Sequence, residues 1–360
     1  MRNSDSKLYL IVPVLVIIVI FIAYMYSWDI GAHFHPNQTT DDMAVLTKMI
    51  TDEINEGKKS GDFYIKNIKM DELSGINDYI CSLNGNVSQY SILEKSRHGL
   101  KVRFFYEISD NYFVYQKYKN GEGIPEDRPA AQKLYEKVTD IIPRIISNNM
   151  TDYEKELAIH DYIVKNCEYG YVDYSNDYAY RAYGVLVQGK AVCNGYAEAM
   201  ALLLNCAGIE NEIMTGWASG ELHAWNRVKL DGKWYQVDST WDDPVPDRGS
   251  FAGHQFFNVT DDIMDDTHVW TIGDYEACDD MAYNYFKMNN CIGNYDSFKN
   301  KMDYFAVLDP HATVEYVLTD YDKDSYDMSK IANVQGIESF TYGTETYGPY
   351  YIMTINFNQK

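Results

Sequence analysis

The feature that most constrains this chain is a hairpin written around Asp231-Gly232. Two strand-like runs, His223–Leu230 and Lys233–Trp241, flank that dipeptide, which is preferred in two-residue type I′ turns. Such a turn sets Leu230 opposite Lys233, and every further pair follows from it. Trp225 then lies opposite Asp238, and His223 opposite Thr240. His223 and Asp238 become diagonal neighbours on one face, within side-chain reach. A carboxylate in that position holds an imidazole in one tautomer and stabilises its charged form.

Upstream, Cys193 opens a run rich in Ala, Leu and Met that stops at Gly208. Those residues lose little freedom in a helix, and glycine is the usual residue just past a helix end. Met200, Leu203, Leu204 and Cys206 read as core positions of this helix. Cys193 falls in its first turn, where unpaired N–H groups and the helix dipole favour a thiolate. A lone buried cysteine, a structural histidine and a turn aspartate are each unremarkable. Taken together, Cys193, His223 and Asp238 form a nucleophile, base and orienter set.

Three segments carry a resemblance: Gly184–Ala197 with Val192-Cys193-Asn194-Gly195-Tyr196, then His223-Ala224-Trp225-Asn226, then Trp234–Pro244 with Val237-Asp238-Ser239-Thr240-Trp241-Asp242-Asp243-Pro244. They resemble the transglutaminase-like superfamily, and within it the bacterial, surface-anchored branch. The likeness covers roughly Met150 to Trp270, about a third of the chain. It implies an α+β, papain-like core in which a cysteine-bearing helix packs on an antiparallel sheet bearing the histidine and aspartate. It also implies the triad Cys193, His223 and Asp238. It leaves the reaction open, because the superfamily holds protein cross-linkers, proteases, deamidases, peptide N-glycanases and non-catalytic members.

The N-terminus pairs a short basic tip (Arg2, Lys7) with an apolar run from Leu8 to Trp28. A run of about 20 residues is long enough to span a bilayer. The basic residues put the tip in the cytoplasm and the rest outside. A cleaved signal peptide is the competing reading, but no Ala-x-Ala site closes the run. The expected organisation is an anchor over 1–28, a linker and small α+β module over 29–122, a catalytic domain over 123–275, and a C-terminal α+β module over 276–360.

A formal net charge of -22 over 360 residues excludes nucleic acid as a natural partner, since phosphate binding needs a basic footprint. The expected partner is a protein or peptide substrate at the cell surface. No cofactor and no metal are expected: the cysteines form no CxxC pair, and the carboxylates of Asp242, Asp243, Asp261, Asp262, Asp265 and Asp266 lack EF-hand spacing. His33 and His35 belong to the linker, and His160 reads as a packed or capping histidine. With Cys193 set aside, five of the six cysteines remain, and a Cys278–Cys291 bridge is conceivable beside reduced, buried thiols.

Other expectations are a helix over Asp41–Glu56, a second over Asp71–Leu83, and strands over Gln89–Leu93, Leu100–Ile108 and Tyr112–Tyr118. A helix over Pro125–Ser147 follows, then one opened by the capping box Thr151-Asp152-Tyr153-Glu154. A short helix starts at Thr260. The C-terminal module is read as strands Val314–Thr319, Ser339–Tyr342 and Tyr350–Phe357 around a helix near Tyr326–Val334. The Tyr-rich segment Asp173–Tyr183 is placed to wall a substrate groove, with Trp225 as another groove candidate. The second oxyanion donor, beside the Cys193 N–H, is either Tyr183 or Gln188. The expected function is a surface thiol enzyme that acts on a carboxamide or peptide bond through a Cys193 thioester, with cross-linking, deamidation or proteolysis as outcomes. A cysteine protease of wall peptides, or a non-catalytic surface scaffold on the same fold, are the alternatives.

Overall fold

The computed structural model describes residues 38–80, 82–96, 99–171, 177–247, 251–270, 276–308, 313–322, 328 and 337–359. The apolar run Leu8–Trp28, the linker histidines, Cys81, most of the Asp173–Tyr183 segment's start and the expected helix near Tyr326–Val334 lie outside them. Among the described residues, no helix is long and apolar enough to cross a membrane. The chain divides into two units, Met1–Ser109 and Asp110–Lys360.

The first unit is a four-stranded sheet with one long helix. Strand β1 (Thr39–Thr40) leads into α1 (Met43–Asn55), followed by β2 (Ser60–Ile65), β3 (Gly85–Ser96) and β4 (Gly99–Ile108), in sheet order β1-β2-β4-β3. Asp42 caps α1, its carboxylate accepting from the Ala44 N–H at 2.7 Å. Leu46, Ile50 and Ile54 recur at intervals of four and are fully buried, as an amphipathic helix requires. The helix expected over Asp71–Leu83 shrinks to Met70–Ser74 and a 3₁₀ turn at Ile76–Asp78, interrupted by Gly75.

The second unit opens with a correction. Tyr112–Tyr118, expected as a strand on its aromatic residues, lies inside helix α2 (Asp110–Asn120). Asp110 and Asn111, read as turn residues, start that helix, and packing on later helices buries Val114 and Asn111. Strand propensity is a preference for a half-buried surface, and tertiary contact overrides it. Helix α3 (Pro129–Ile145) begins later than expected, with Pro129 in its first turn and Pro143 inside it. Helix α4 (Asp152–Asn166) carries the expected capping box: Thr151 Oγ1 accepts from the Glu154 N–H at 3.2 Å, and Glu154 returns a bond to the Thr151 N–H at 2.7 Å.

Next come β5 (Glu168–Tyr169), paired in parallel with β6 (Lys190–Ala191), and helix α5 (Cys193–Ala207). Gly208 closes α5 in the left-handed conformation, at φ 80°. A five-stranded antiparallel sheet follows, built from β7 (Asn211–Ala218), β8 (Glu221–Leu230), β9 (Lys233–Val237), β10 (Phe257–Val259) and β11 (His268–Trp270), in order β10-β9-β8-β7-β11. The hairpin register is the expected one, from Leu230 opposite Lys233 to Asn226 opposite Val237. Asp231 and Gly232 both take positive φ, 48° and 80°, as a type I′ turn demands. Strand β9 ends four residues early, at Val237, because the Asp238 carboxylate accepts from the Thr240 and Trp241 N–H groups and folds the chain into a turn.

The C-terminal sheet runs β12 (Ile292–Gly293), β13 (Thr313–Leu318), β15 (Tyr350–Gln359) and β14 (Ile337–Tyr347), with helix α6 (Tyr295–Leu308) unforeseen by sequence. Its buried residues share one hydrophobic cluster with Trp225, Phe256 and Met264 of the central sheet region. Cys278 and Cys291 are buried free thiols, so the conceivable bridge between them is not formed. Burial raises the pKa of both. The carboxylates near the hairpin serve as hydrogen-bond acceptors: Asp261 for Gln236 and the Cys278 N–H, Asp266 for the Gly348 N–H.

His160 pins α4 to the turn after β9. Fully buried, it places Nε2 3.1 Å from Asp242 and Nδ1 3.3 Å from Asp161. Asp161 also receives His254 Nε2 at 2.8 Å, and the His254 ring lies flat on Tyr285 with centroids 3.6 Å apart. Burial opposes the charge on His160, but hydrogen bonds to Asp161 and Asp242 and their charges outweigh it, pushing the pKa up to about 9. A folded-state pKa above the ordinary value of 6.5 stabilises fully below pH 6.5, and that stabilisation is lost as pH rises through about 9.

Two outcomes follow for stability. Replacing Thr151 by Ala should cost about 1 kcal/mol, read as a lower urea midpoint; an unchanged midpoint would remove the cap from the account of α4. The stability gap between the wild type and His160→Gln should be widest below pH 6.5 and narrow above about pH 9. A gap constant across that range would show that His160 is held as a neutral ring.

Candidate active site

Cys193 stands at the first helical position of α5 because the chain arrives there in extended conformation, with Val192 at φ -109° and ψ 175°. Val192 supplies no capping side chain; its carbonyl accepts the Gly195 N–H at 2.8 Å, which leaves the Cys193 and Asn194 N–H groups as the helix-end donors nearest the sulfur. A single π turn, Gly184–Gln188, and the left-handed Gly189 bring the chain to that point. The 177–182 segment is strapped across the same turn of helix. The Val192 N–H donates to Ala179 O at 3.0 Å, and Asn194 Nδ2 to Tyr180 O at 2.6 Å. The buried Glu198 carboxylate accepts from Arg181 Nη1 (3.0 Å), the Ala182 N–H (3.1 Å) and Asn111 Nδ2 (2.8 Å). The approach is close enough that a Cβ on Gly195 would sit 2.5 Å from Ala179 O, which is why a glycine follows the cysteine by two.

The sheet brings up the partners. His223 Nε2 lies 2.7 Å from Asp238 Oδ2, and Cys193 is an electrostatic neighbour of the same imidazole. Nε2 is taken by the carboxylate, which leaves Nδ1 as the ring nitrogen for the sulfur. The three residues singled out by sequence therefore converge. Asp238 is completely buried, and its four partners explain how it stays charged there. Oδ1 accepts from the Thr240 and Trp241 N–H groups at 2.9 and 3.3 Å, while Oδ2 meets His223 and His268 Nε2, the latter at 3.1 Å. Burial works against its ionisation, but the charge and hydrogen bond of His223, with those of His268, hold the carboxyl well below the usual range. Burial likewise opposes the His223 imidazolium, yet the charge and hydrogen bond of Asp238, then Cys193, push its pKa up to about 10.

His268 is the residue that sequence reasoning missed. It is fully buried on the edge strand β11, opposite Ala218, and its Nδ1 lies 2.8 Å from Thr267 Oγ1. A three-residue strand carries no periodic pattern, so nothing local announced it.

Trp225 needs a correction. It is only 1% exposed, and its Nε1 donates to Gln236 Oε1 at 2.8 Å. Its ring stacks on His223 at 5.9 Å between centroids, so it forms the floor under the histidine, not a wall of a groove. Tyr183 packs its ring on Tyr178 with centroids 4.3 Å apart, and Gln188 is half-buried at the end of the π turn. Different tyrosines lie near the start of α5: Tyr169, exposed on β5 opposite Ala191, and Tyr171, whose hydroxyl lies 2.9 Å from that of Tyr180.

Two groups offer three metal-ligating atoms within 4.8 Å of one another: His223, Asp238 and His268, and His160, Asp161 and His254. In both, the ligand atoms are already joined by hydrogen bonds, so an ion would have to displace their shared protons. In the first it would also occupy the base and its orienter.

Residues 139–239 match the family model of the transglutaminase-like superfamily. The kyphoscoliosis peptidases of Homo sapiens and Mus musculus are 27% and 26% identical over 139 and 141 residues, 34% of this chain. The match spans 21% of those relatives' own length. A solved structure of a TGase aligns over 51% of this chain and 51% of its own, at 17% identity and a TM-score of 0.27. Cys193, His223 and Asp238 all fall inside residues 139–239, the part of the chain that matches the transglutaminase-like superfamily.

Proposed function

We propose that this domain is a thiol enzyme that breaks a carboxamide or peptide bond through an acyl-enzyme on Cys193. The observation that carries the reading is the 2.7 Å contact of His223 with the buried Asp238 carboxylate, with Cys193 beside that imidazole at the start of α5. A cationic imidazole beside a thiol at a helix N-terminus favours the thiolate, the form that reacts. The sulfur attacks the carbonyl carbon, a C–S bond forms, and the carbonyl oxygen takes the negative charge. Collapse breaks the C–N bond, and His223 passes its proton to the departing amine. Water or a second amine, deprotonated by His223, then attacks the thioester and releases the thiol. Water as acceptor gives proteolysis or deamidation, and an amine gives cross-linking. Kinship with proteins named as peptidases favours water.

For location, we infer from hydropathy that Leu8–Trp28 holds the enzyme on the membrane with the domain outside. Substrates would then be proteins or peptides at the cell surface.

The test uses the full-length chain. Alkylation of Cys193 by iodoacetamide, followed on its own peptide by mass spectrometry, should be fast at neutral pH and slowed in His223→Ala by about 10²-fold or more. Cys193→Ala should abolish turnover in a screen of glutamine-containing peptides, with and without an added primary amine. Labelling indifferent to His223, with no turnover that depends on Cys193, would leave the domain as a binding module.

A further inference from the structure

An acyl-enzyme route needs two donors at the oxyanion, and the main chain of Cys193 offers one. We infer that the Tyr169 hydroxyl is the other; the inference rests on the acyl-transfer reading above. Strand β5 is locked beside the nucleophile: Tyr169 stands opposite Ala191, two residues before Cys193, and the Gly170 N–H donates to Ala191 O at 2.8 Å. The Tyr169 ring rests on Tyr196, one helical turn beyond Cys193, with centroids 6.4 Å apart. Backbone pairing on one side and ring contact on the other therefore set this side chain over the start of α5. It remains 42% exposed, so the side chain is open to solvent and substrate there.

Its electrostatic surroundings agree with that placement. Burial raises the Tyr169 pKa, and the negative charges of Cys193, Glu221 and Asp238 raise it further. The hydroxyl feels both the nucleophile and the triad carboxylate, and it remains a donor throughout the neutral range.

Several other donors nearby are engaged. Asn194 Nδ2 donates to Tyr180 O, and Trp225 Nε1 to Gln236. Both His268 nitrogens have partners, and one of the facing Tyr171 and Tyr180 hydroxyls donates to the other. Tyr183, one of the two donors expected from sequence, turns to Tyr178 instead.

The test separates chemistry that passes through an oxyanion from chemistry that does not. With p-nitrophenyl acetate, the Cys193 sulfur bonds to the carbonyl carbon, the ester C–O bond breaks, and p-nitrophenolate leaves with the electron pair. Iodoacetamide alkylates the same sulfur by displacing iodide, with no oxyanion. On the full-length chain, Tyr169→Phe should lower the rate of the p-nitrophenolate burst by about 100-fold, while alkylation of Cys193 keeps its wild-type rate. A burst at the wild-type rate overturns the assignment of Tyr169 alone. So does an equal fall in both rates, which would mean that the ring only shapes the pocket. A wild-type chain that alkylates yet gives no Cys193-dependent burst overturns the acyl-transfer reading as well.

Discussion

The buried carboxylate of Asp238 is the interaction on which the rest of the site depends. A carboxylate removed from water is costly unless its lone pairs are filled, and removing a partner from a buried ion pair costs about 3–5 kcal/mol. Here two main-chain N–H groups and two histidines fill them. The same bonds end β9, shape the turn towards Asp242, and tie the edge strand β11 to the centre of the sheet. One charged group thus organises backbone, neighbouring strand and base together, and His223 inherits its position and its elevated pKa from that arrangement.

A second buried chain of charges supports the first from below. Asp242, four residues beyond Asp238, accepts the Phe256 N–H at 2.9 Å and faces His160 on α4. His160 faces Asp161, and Asp161 faces His254. The turn that carries the triad aspartate is therefore gripped at both ends by carboxylate–histidine contacts. Helix α5 is gripped in the same manner: Glu198 gathers Arg181, Ala182 and Asn111 around its carboxylate, holding the wall that faces Cys193. Nucleophile and base are thus held from different elements by networks whose buried members are mutually satisfied, which favours a single arrangement.

The helix of Cys193 was legible because its signals are local: residues that suit a helix, then a glycine that takes φ 80° at its end. The hairpin was legible for the same reason, since two residues with positive φ set the register of ten others. The hairpin pairs His223 with Asp238 locally and the helix start singles out Cys193, while packing of α5 on the sheet brings the cysteine to the pair. The errors have an equally physical origin. Tyr112–Tyr118 carries strand-like residues, but the surface it meets belongs to helices distant in sequence. Trp225 sits beside the base in sequence, yet burial of a large ring outweighed exposure at the site, and the indole became the floor.

The sequence by itself determined the α5 start and stop, the capping box of α4 and the register of the β8–β9 hairpin, and with them the candidate residues Cys193, His223 and Asp238. Each rests on contacts between residues a few positions apart, where spacing alone dictates geometry. Only the tertiary structure decided that His268 completes the environment of Asp238, that His160 and Asp242 clamp its turn, and that Tyr169 lies beside the start of α5. Those contacts join residues 30, 82 and about 24 positions apart in the chain. No local pattern encodes such distances; the packing of two helices and a sheet around one buried carboxylate does.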